Sequence, residues 1–250
     1  MPAAFDVTRP LPATRFGATV RLTKPLSQGI PEGLPAVLAE GDGLMLIPGL
    51  QEIAEKPELL VALSRAFGPE VEDYRYTLTQ RSSVHTTVPE IFLVSNMAPV
   101  NRKPPRRPDP PVTAEGRLPV QYPHRKGWHT DQSYRRPPPD ISLFYAVTPV
   151  ARDRGQTLFA DGTAAYAALP PHLKAKVDGL QGLHCQPGLS RSRDAVLAGR
   201  KVEEQPPHAR SQRQPVVRIH PVTGKPALYV CEWGQMDWVD GPFVGMAGLR

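Results

Sequence analysis

The chain predicts a mainly β fold with helices packed on its outside. Three observations lead there. Short runs rich in Val, Ile, Leu and Phe recur at residues 43–47, 91–94, 141–147, 216–219 and 227–230. Each has the length of a strand and not of a helix. Stretches with helical spacing are few and brief. Proline, at 31 of 250 residues, interrupts the chain too often for long helices.

Taken in order, residues 43–47 (Gly-Leu-Met-Leu-Ile) read as a buried strand. Residues 57–67 read as a helix, because Leu59, Leu60, Leu63, Ala66 and Phe67 fall on one face, and Gly68-Pro69 stops it. Residues 91–94 read as a second buried strand and 141–147 as a third. Asp161 stands where its carboxylate can cap a short helix running to Leu169. Pro170-Pro171 breaks that helix, and another runs to Val177. Residues 190–213 are basic and weakly patterned, and read as a helical or mobile insertion. The runs at 216–219 and 227–230 read as paired strands, joined by a turn at Pro221-Val222-Thr223-Gly224. No internal repeat is present.

A chain of 250 residues suffices for one large domain spanning 1–250. Within it, residues 99–123 hold eight prolines and five Arg or Lys. Such a segment supports neither a regular helix nor a central strand, and reads as a long loop, either a lid or a surface insertion. The net charge of +6 resides largely in loops, at Arg102-Lys103, Arg106-Arg107, Arg135-Arg136 and 191–193. It reads as solvated charge or as a weak attraction for anions, and no groove-reading nucleic-acid motif accompanies it. No apolar run reaches the roughly 18 residues of a membrane span. The N-terminus lacks a basic region followed by an apolar core, so a signal peptide is not expected. Cys185 and Cys231 form no metal-type cluster and read as reduced thiols of a cytoplasmic protein.

The chemistry concentrates at Trp128-His129-Thr130-Asp131. Two ligands at i and i+2 point to one side of an extended strand, so a short strand offers both to one metal. An imidazole and a carboxylate suit two of the three protein ligands of a non-haem Fe(II) site, which keeps open positions for a co-substrate and O2. The same pair also reads as a strand-end histidine hydrogen-bonded to a neighbouring aspartate. Trp128 either walls the site or belongs to the core.

In order and spacing, several blocks together resemble the taurine dioxygenase (TauD/TfdA) family of Fe(II)- and 2-oxoglutarate-dependent oxygenases. These are Trp128-His129-Thr130-Asp131, the run at 141–147, Gly155-Gln156-Thr157-Leu158-Phe159-Ala160-Asp161, and Ile219-His220-Pro221-Val222-Thr223-Gly224. Thr23-Lys24-Pro25-Leu26 and Ala66-Phe67-Gly68 resemble further family positions. The likeness runs from near the N-terminus to about residue 245. It implies a distorted double-stranded β-helix (jelly-roll, cupin-like, clavaminate synthase-like) with helices outside.

The resemblance also implies roles. His129 and Asp131 become metal ligands. Thr157 becomes a hydroxyl donor to the carboxylate of 2-oxoglutarate, although Arg154-Gly155-Gln156 departs from the family's usual Gly-Gly-Asp. Asn96, His85 and Tyr74 fall in segments that reach the substrate pocket in related enzymes, while Asn96 equally reads as a turn residue. The His220-Pro221 block corresponds to a structural turn. His172, His184 and His208 stand at helix breaks or in loops. The implied reaction hydroxylates a small, anionic organic substrate with O2, releasing succinate and CO2. Self-association is left open by the sequence.

In the family, a distal metal histidine and an arginine that grips 2-oxoglutarate bidentately would both fall past Arg250. The resemblance therefore implies a sheet incomplete at its C-terminus. Two readings follow: a dioxygenase, or a catalytically inactive truncated homologue of poor stability.

Overall fold

The computed structural model describes residues 4–12, 14–77, 79–95, 100, 128–149, 157–187, 191–205, 207, 210–231 and 235–244. Chain contacts divide the molecule into two compact units. One is Met1–Pro119 with Leu143–Gln156, and the other is Val120–Ser142 with Thr157–Arg250. The described strands form three sheets, of three, three and two strands.

In the first unit, β1 (Phe5–Thr8) pairs antiparallel with β2 (Ala18–Leu22), from Phe5 opposite Leu22 to Thr8 opposite Thr19. Helix α1 (Leu34–Glu40) follows, then β3 (Met45–Leu46), which runs parallel to β2. Two further helices, α2 (Glu52–Glu55) and α3 (Glu58–Arg65), complete the unit. Strand β2 lies between two others, and its Ala18, Thr19 and Val20 are buried in succession. Ala18 and Val20 join Leu26, Leu34, Val37, Ile53 and Leu63 in the core. The carboxylate of Glu52 accepts the backbone N–H groups of Leu26 and Ser27, capping a single helical turn far away in sequence.

The expected helix at 57–67 is present with slightly narrower bounds, and Val61 and Leu63 are its buried residues. Three expected strands differ. The run at 43–47 contributes only the two residues of β3, and Leu46 is 53% exposed, since this strand is a sheet edge. The run at 91–94 makes a single bridge from Phe92 to Val84, with Phe92 and Val94 exposed. The run at 141–147 has no ladder partner among the described residues. Leu143 and Tyr145 pack against the core while Phe144 and Val147 face out. The alternation of a strand is present, but the backbone pairing is not.

In the second unit, α4 (Gly162–Ala167) starts at Asp161, whose Oδ1 accepts the N–H groups of Thr163 and Ala164 at 2.8 and 3.2 Å. This is the expected cap, on a helix two residues shorter than expected. A Cβ on Gly162 would stand 2.8 Å from the Leu228 carbonyl oxygen, so this glycine lets the helix approach the strand beneath it. Helix α5 (Pro171–Val177) leads into β4 (Gln181–His184). Helix α6 (Arg193–Leu197), β5 (Gln212–Pro215), β6 (Val217–Ile219), β7 (Pro226–Leu228) and β8 (Phe243–Val244) follow.

Strand β4 is central in the sheet β5-β4-β8, and β6 with β7 forms the expected hairpin. His220 serves the hairpin turn: its Nδ1 accepts the N–H groups of Val222 and Thr223, both at 3.2 Å. Gly224 takes the positive φ of 68° that closes the turn. His184 is not a loop residue. It ends β4 and is 1% exposed, with Ser133, Cys231 and Tyr229 against its ring.

Candidate functional site

Residues 128–130 have no regular secondary structure and lead into a turn at 131–134, so the expected strand is not formed here. The Ser133 N–H reaches the Thr130 carbonyl at 3.4 Å, and the Arg135 N–H reaches the Gln132 carbonyl at 2.9 Å. Gln132 adopts a φ of 55°, the left-handed region that non-glycine residues avoid. The turn still brings the two candidate ligands together. His129 Nε2 lies 3.1 Å from Asp131 Oδ1, with side chains 33% and 49% exposed. The hydrogen bond from His129 holds the Asp131 carboxyl below the usual aspartate range against the opposing effect of burial.

This geometry answers both readings of the motif. The pair is hydrogen-bonded as it stands. The separation of 3.1 Å is that of an ordinary hydrogen bond, and it equals the roughly 3.0 Å between two cis ligands of one octahedral ion, so the distance alone agrees with either reading. Both donors are accessible, and N with O suits Fe(II). Among the described residues, no group of three or more His, Cys, Asp or Glu side chains converges as a metal cage. The described site therefore supplies two donors.

Behind the turn lies a buried polar cluster that sequence reasoning missed. Ser133 Oγ is 2.8 Å from His184 Nδ1 and 3.4 Å from Cys231 Sγ. The Ser133 carbonyl accepts from Gln214 Nε2 at 2.8 Å. His184 stacks on Tyr229 with ring centroids 5.8 Å apart. Burial lowers the His184 imidazole from 6.5 to about 4, so the ring is neutral. Burial raises the Cys231 thiol, against the Ser133 hydroxyl and the Thr130 backbone, and the Asp131 charge adds to the rise. His184 and Cys231 lie 51 and 98 residues from Ser133. No local signal could have joined them, although Ser133 stands only two residues past the motif that ends at Asp131.

Thr157 is exposed, in the same unit as the pair, on the stretch that leads into the Asp161 cap. Tyr74 and His85 belong to the other unit. Tyr74 packs on Phe92 with ring centroids 5.5 Å apart. His85 Nδ1 accepts the Val88 N–H at 3.1 Å, so it closes its own turn. Trp128 is half-buried. Asn96 lies outside the described residues, as does nearly all of 99–123. A shallow groove bounded by Ile30, Pro35, Ala62 and Arg65 includes none of the candidates.

The family model for taurine catabolism dioxygenase TauD, TfdA family, matches residues 8–246. The chain is 34% identical over 118 residues to the alpha-ketoglutarate-dependent dioxygenase cnsP of Penicillium expansum, covering 46% of this chain and 29% of that protein. It is 35% identical over 111 residues to the (S)-phenoxypropionate/alpha-ketoglutarate-dioxygenase of Sphingobium herbicidovorans, covering 42% of this chain and 37% of that protein. The chain thus spans well under two thirds of these relatives' lengths. A crystal structure from Burkholderia xenovorans, assigned as an alpha-ketoglutarate-dependent taurine dioxygenase, superposes with a TM-score of 0.50 at 20% identity. That superposition covers 98% of this chain and 67% of that one, and shows a likeness of fold.

Proposed function

The chain belongs to the TauD, TfdA family of taurine catabolism dioxygenases, and from that premise we propose that it is an Fe(II)- and 2-oxoglutarate-dependent dioxygenase acting on a small anionic organic substrate. The observation that carries this reading is the pair of His129 Nε2 and Asp131 Oδ1, 3.1 Å apart and open to solvent. No helix among the described residues is long and apolar enough to cross a membrane. The jelly-roll expected of the family is part of this reading.

Fe(II), 2-oxoglutarate and O2 would supply the oxidising chemistry, with succinate and CO2 as by-products and a hydroxylated substrate as product. The chain's own residues bind and orient. His129 and Asp131 would hold the cation through a neutral nitrogen and a carboxylate oxygen kept ionised at neutral pH. Thr157 would donate its hydroxyl to a carboxylate of 2-oxoglutarate. Tyr74, His85 and Asn96 are further candidates for contact with the substrate on the family resemblance alone. The net charge of +6 suits an anion, and one relative is named for an aryloxy acid, phenoxypropionate.

A second reading is a homologue that binds without turnover, lacking a distal histidine and the arginine for 2-oxoglutarate. The described residues bring two metal donors together, and binding without turnover asks no more of them. Turnover separates the two. Purified chain with Fe(II), ascorbate and 2-oxoglutarate is incubated with aryloxy acids and sulfonates, and succinate is measured. Substrate-dependent succinate, lost in His129→Ala, supports the enzyme. Metal binding without succinate supports the second reading.

A further inference from the structure

Ser133 is fully buried two residues past Asp131, and three distant segments converge on it. His184 from the end of β4 reaches its hydroxyl at 2.8 Å, and Cys231, beyond β7, reaches it at 3.4 Å. Gln214 from β5 donates to its carbonyl at 2.8 Å. The hydrogen-bond directions are assigned from the partners. His184 Nε2 is buried with no partner, so the single proton of the neutral ring belongs on Nδ1 and is donated to Ser133 Oγ. Ser133 is then free to donate to Cys231 Sγ, and Cys231 to Gln235 Oε1 at 3.9 Å. Each hydroxyl or thiol in this chain has one donor role.

The turn that carries Asp131 needs such support. Gln132 holds a φ of 55°, which is unfavourable for a side-chain-bearing residue. The Ser133 N–H to Thr130 carbonyl contact that closes the turn is long, at 3.4 Å. Three side-chain bonds hold Ser133 at the far end of this turn, two residues past Asp131. Metal ligands rely on neighbours of this kind, which set ligand orientation without touching the ion.

We propose that Ser133 is the positioning residue of the metal pair, clamped by His184, Cys231 and Gln214 so that Asp131 stays within coordinating reach of His129. This rests on the metal reading above. The clamp never contacts the cation. It converts the rigidity of the β4–β5 sheet into a fixed distance between two ligands on an otherwise strained turn.

The test is Mn(II) titration of the full chain, following loss of the free-ion EPR signal, alongside thermal melting. Wild type and three variants are compared: Ser133→Ala, His129→Ala, and Val216→Ala as a buried control elsewhere in the same unit. We expect Ser133→Ala to bind Mn(II) about 10–100-fold more weakly than wild type, while Val216→Ala loses melting temperature and keeps its affinity. Equal affinity of wild type and Ser133→Ala overturns the inference and leaves the metal reading intact. So does an equal loss in Ser133→Ala and Val216→Ala, which would reduce Ser133 to general stability. If wild type fails to bind, or binding survives His129→Ala, the metal reading falls and this inference with it. Should Ser133→Ala not fold, Gln214→Met, which removes the donor to the Ser133 carbonyl, carries the same expectation.

Discussion

His184 Nδ1 lies 2.8 Å from the hydroxyl of Ser133, so a buried histidine on a sheet holds the turn that presents Asp131. Its burial makes stability depend on pH. The folded ring titrates at about 4 and an unhindered one at 6.5. Between these values the unfolded chain takes up a proton that the folded chain refuses. The contribution is therefore fully present above pH 6.5 and drains away as pH falls towards 4, by about 3 kcal/mol in all. Urea midpoints measured from pH 7.5 to 4 should fall more steeply in wild type than in His184→Asn. Parallel slopes would show that His184 does not carry this effect.

Asp237 predicts a large loss from a small change. It is fully buried and accepts from Arg191 Nε at 2.6 Å, from Ser211 Oγ at 2.5 Å, and from the Val239 N–H at 2.9 Å. Burial works against its charge, and these donors still hold its carboxyl below the usual range. Asp237→Ala leaves Arg191 with its buried partner removed, at a cost of about 3–5 kcal/mol. Chemical denaturation of the variant measures it, and a loss under about 1 kcal/mol would mean that the exposed Asp240 substitutes.

The Asp161 cap is worth less and is easier to isolate. Asp161→Ala removes the acceptor for Thr163 and Ala164 and should cost about 1 kcal/mol, while Asp161→Asn should keep most of it. Gly162→Ala should cost more than its small size suggests, because the new methyl meets the Leu228 carbonyl and not a movable side chain. Denaturation of the three variants ranks them. Gly162→Ala matching wild type would contradict the close approach of α4 to β7.

Both thiols should be silent in the folded protein. Cys185 is fully buried and its thiol is pushed up to about 12, chiefly by burial, with Asp237 adding to the rise. Cys231 is also buried, and its thiol is raised. At pH 8 a disulfide reagent should label neither until denaturant is added. Rapid labelling of Cys231 in the native state would mean that the cluster around Ser133 opens.

What the sequence revealed was local. The pair His129 and Asp131 is two residues apart, and the motif places both donors together whether the backbone is a strand or, as found, a turn. The hairpin of β6 and β7 was legible because Pro221-Val222-Thr223-Gly224 dictates the reversal between two apolar runs. Residues 141–147 show the limit: alternation told which side chains face inward, Leu143 and Tyr145, but not whether a neighbouring backbone is there to pair. Strands β4 (Gln-Gly-Leu-His) and β5 (Gln-Arg-Gln-Pro) are polar and carry no apolar alternation, so only their register reveals them. The cluster of Ser133, His184 and Cys231 is assembled by tertiary packing across the second unit, and no spacing rule finds it.

The most direct test of the account is anaerobic addition of Fe(II) and then 2-oxoglutarate to the purified chain, watching for the weak visible charge-transfer band of the chelated complex. Wild type should give a saturable band, absent in His129→Ala and in Asp131→Ala. No band in wild type, or an undiminished band in both variants, would contradict it.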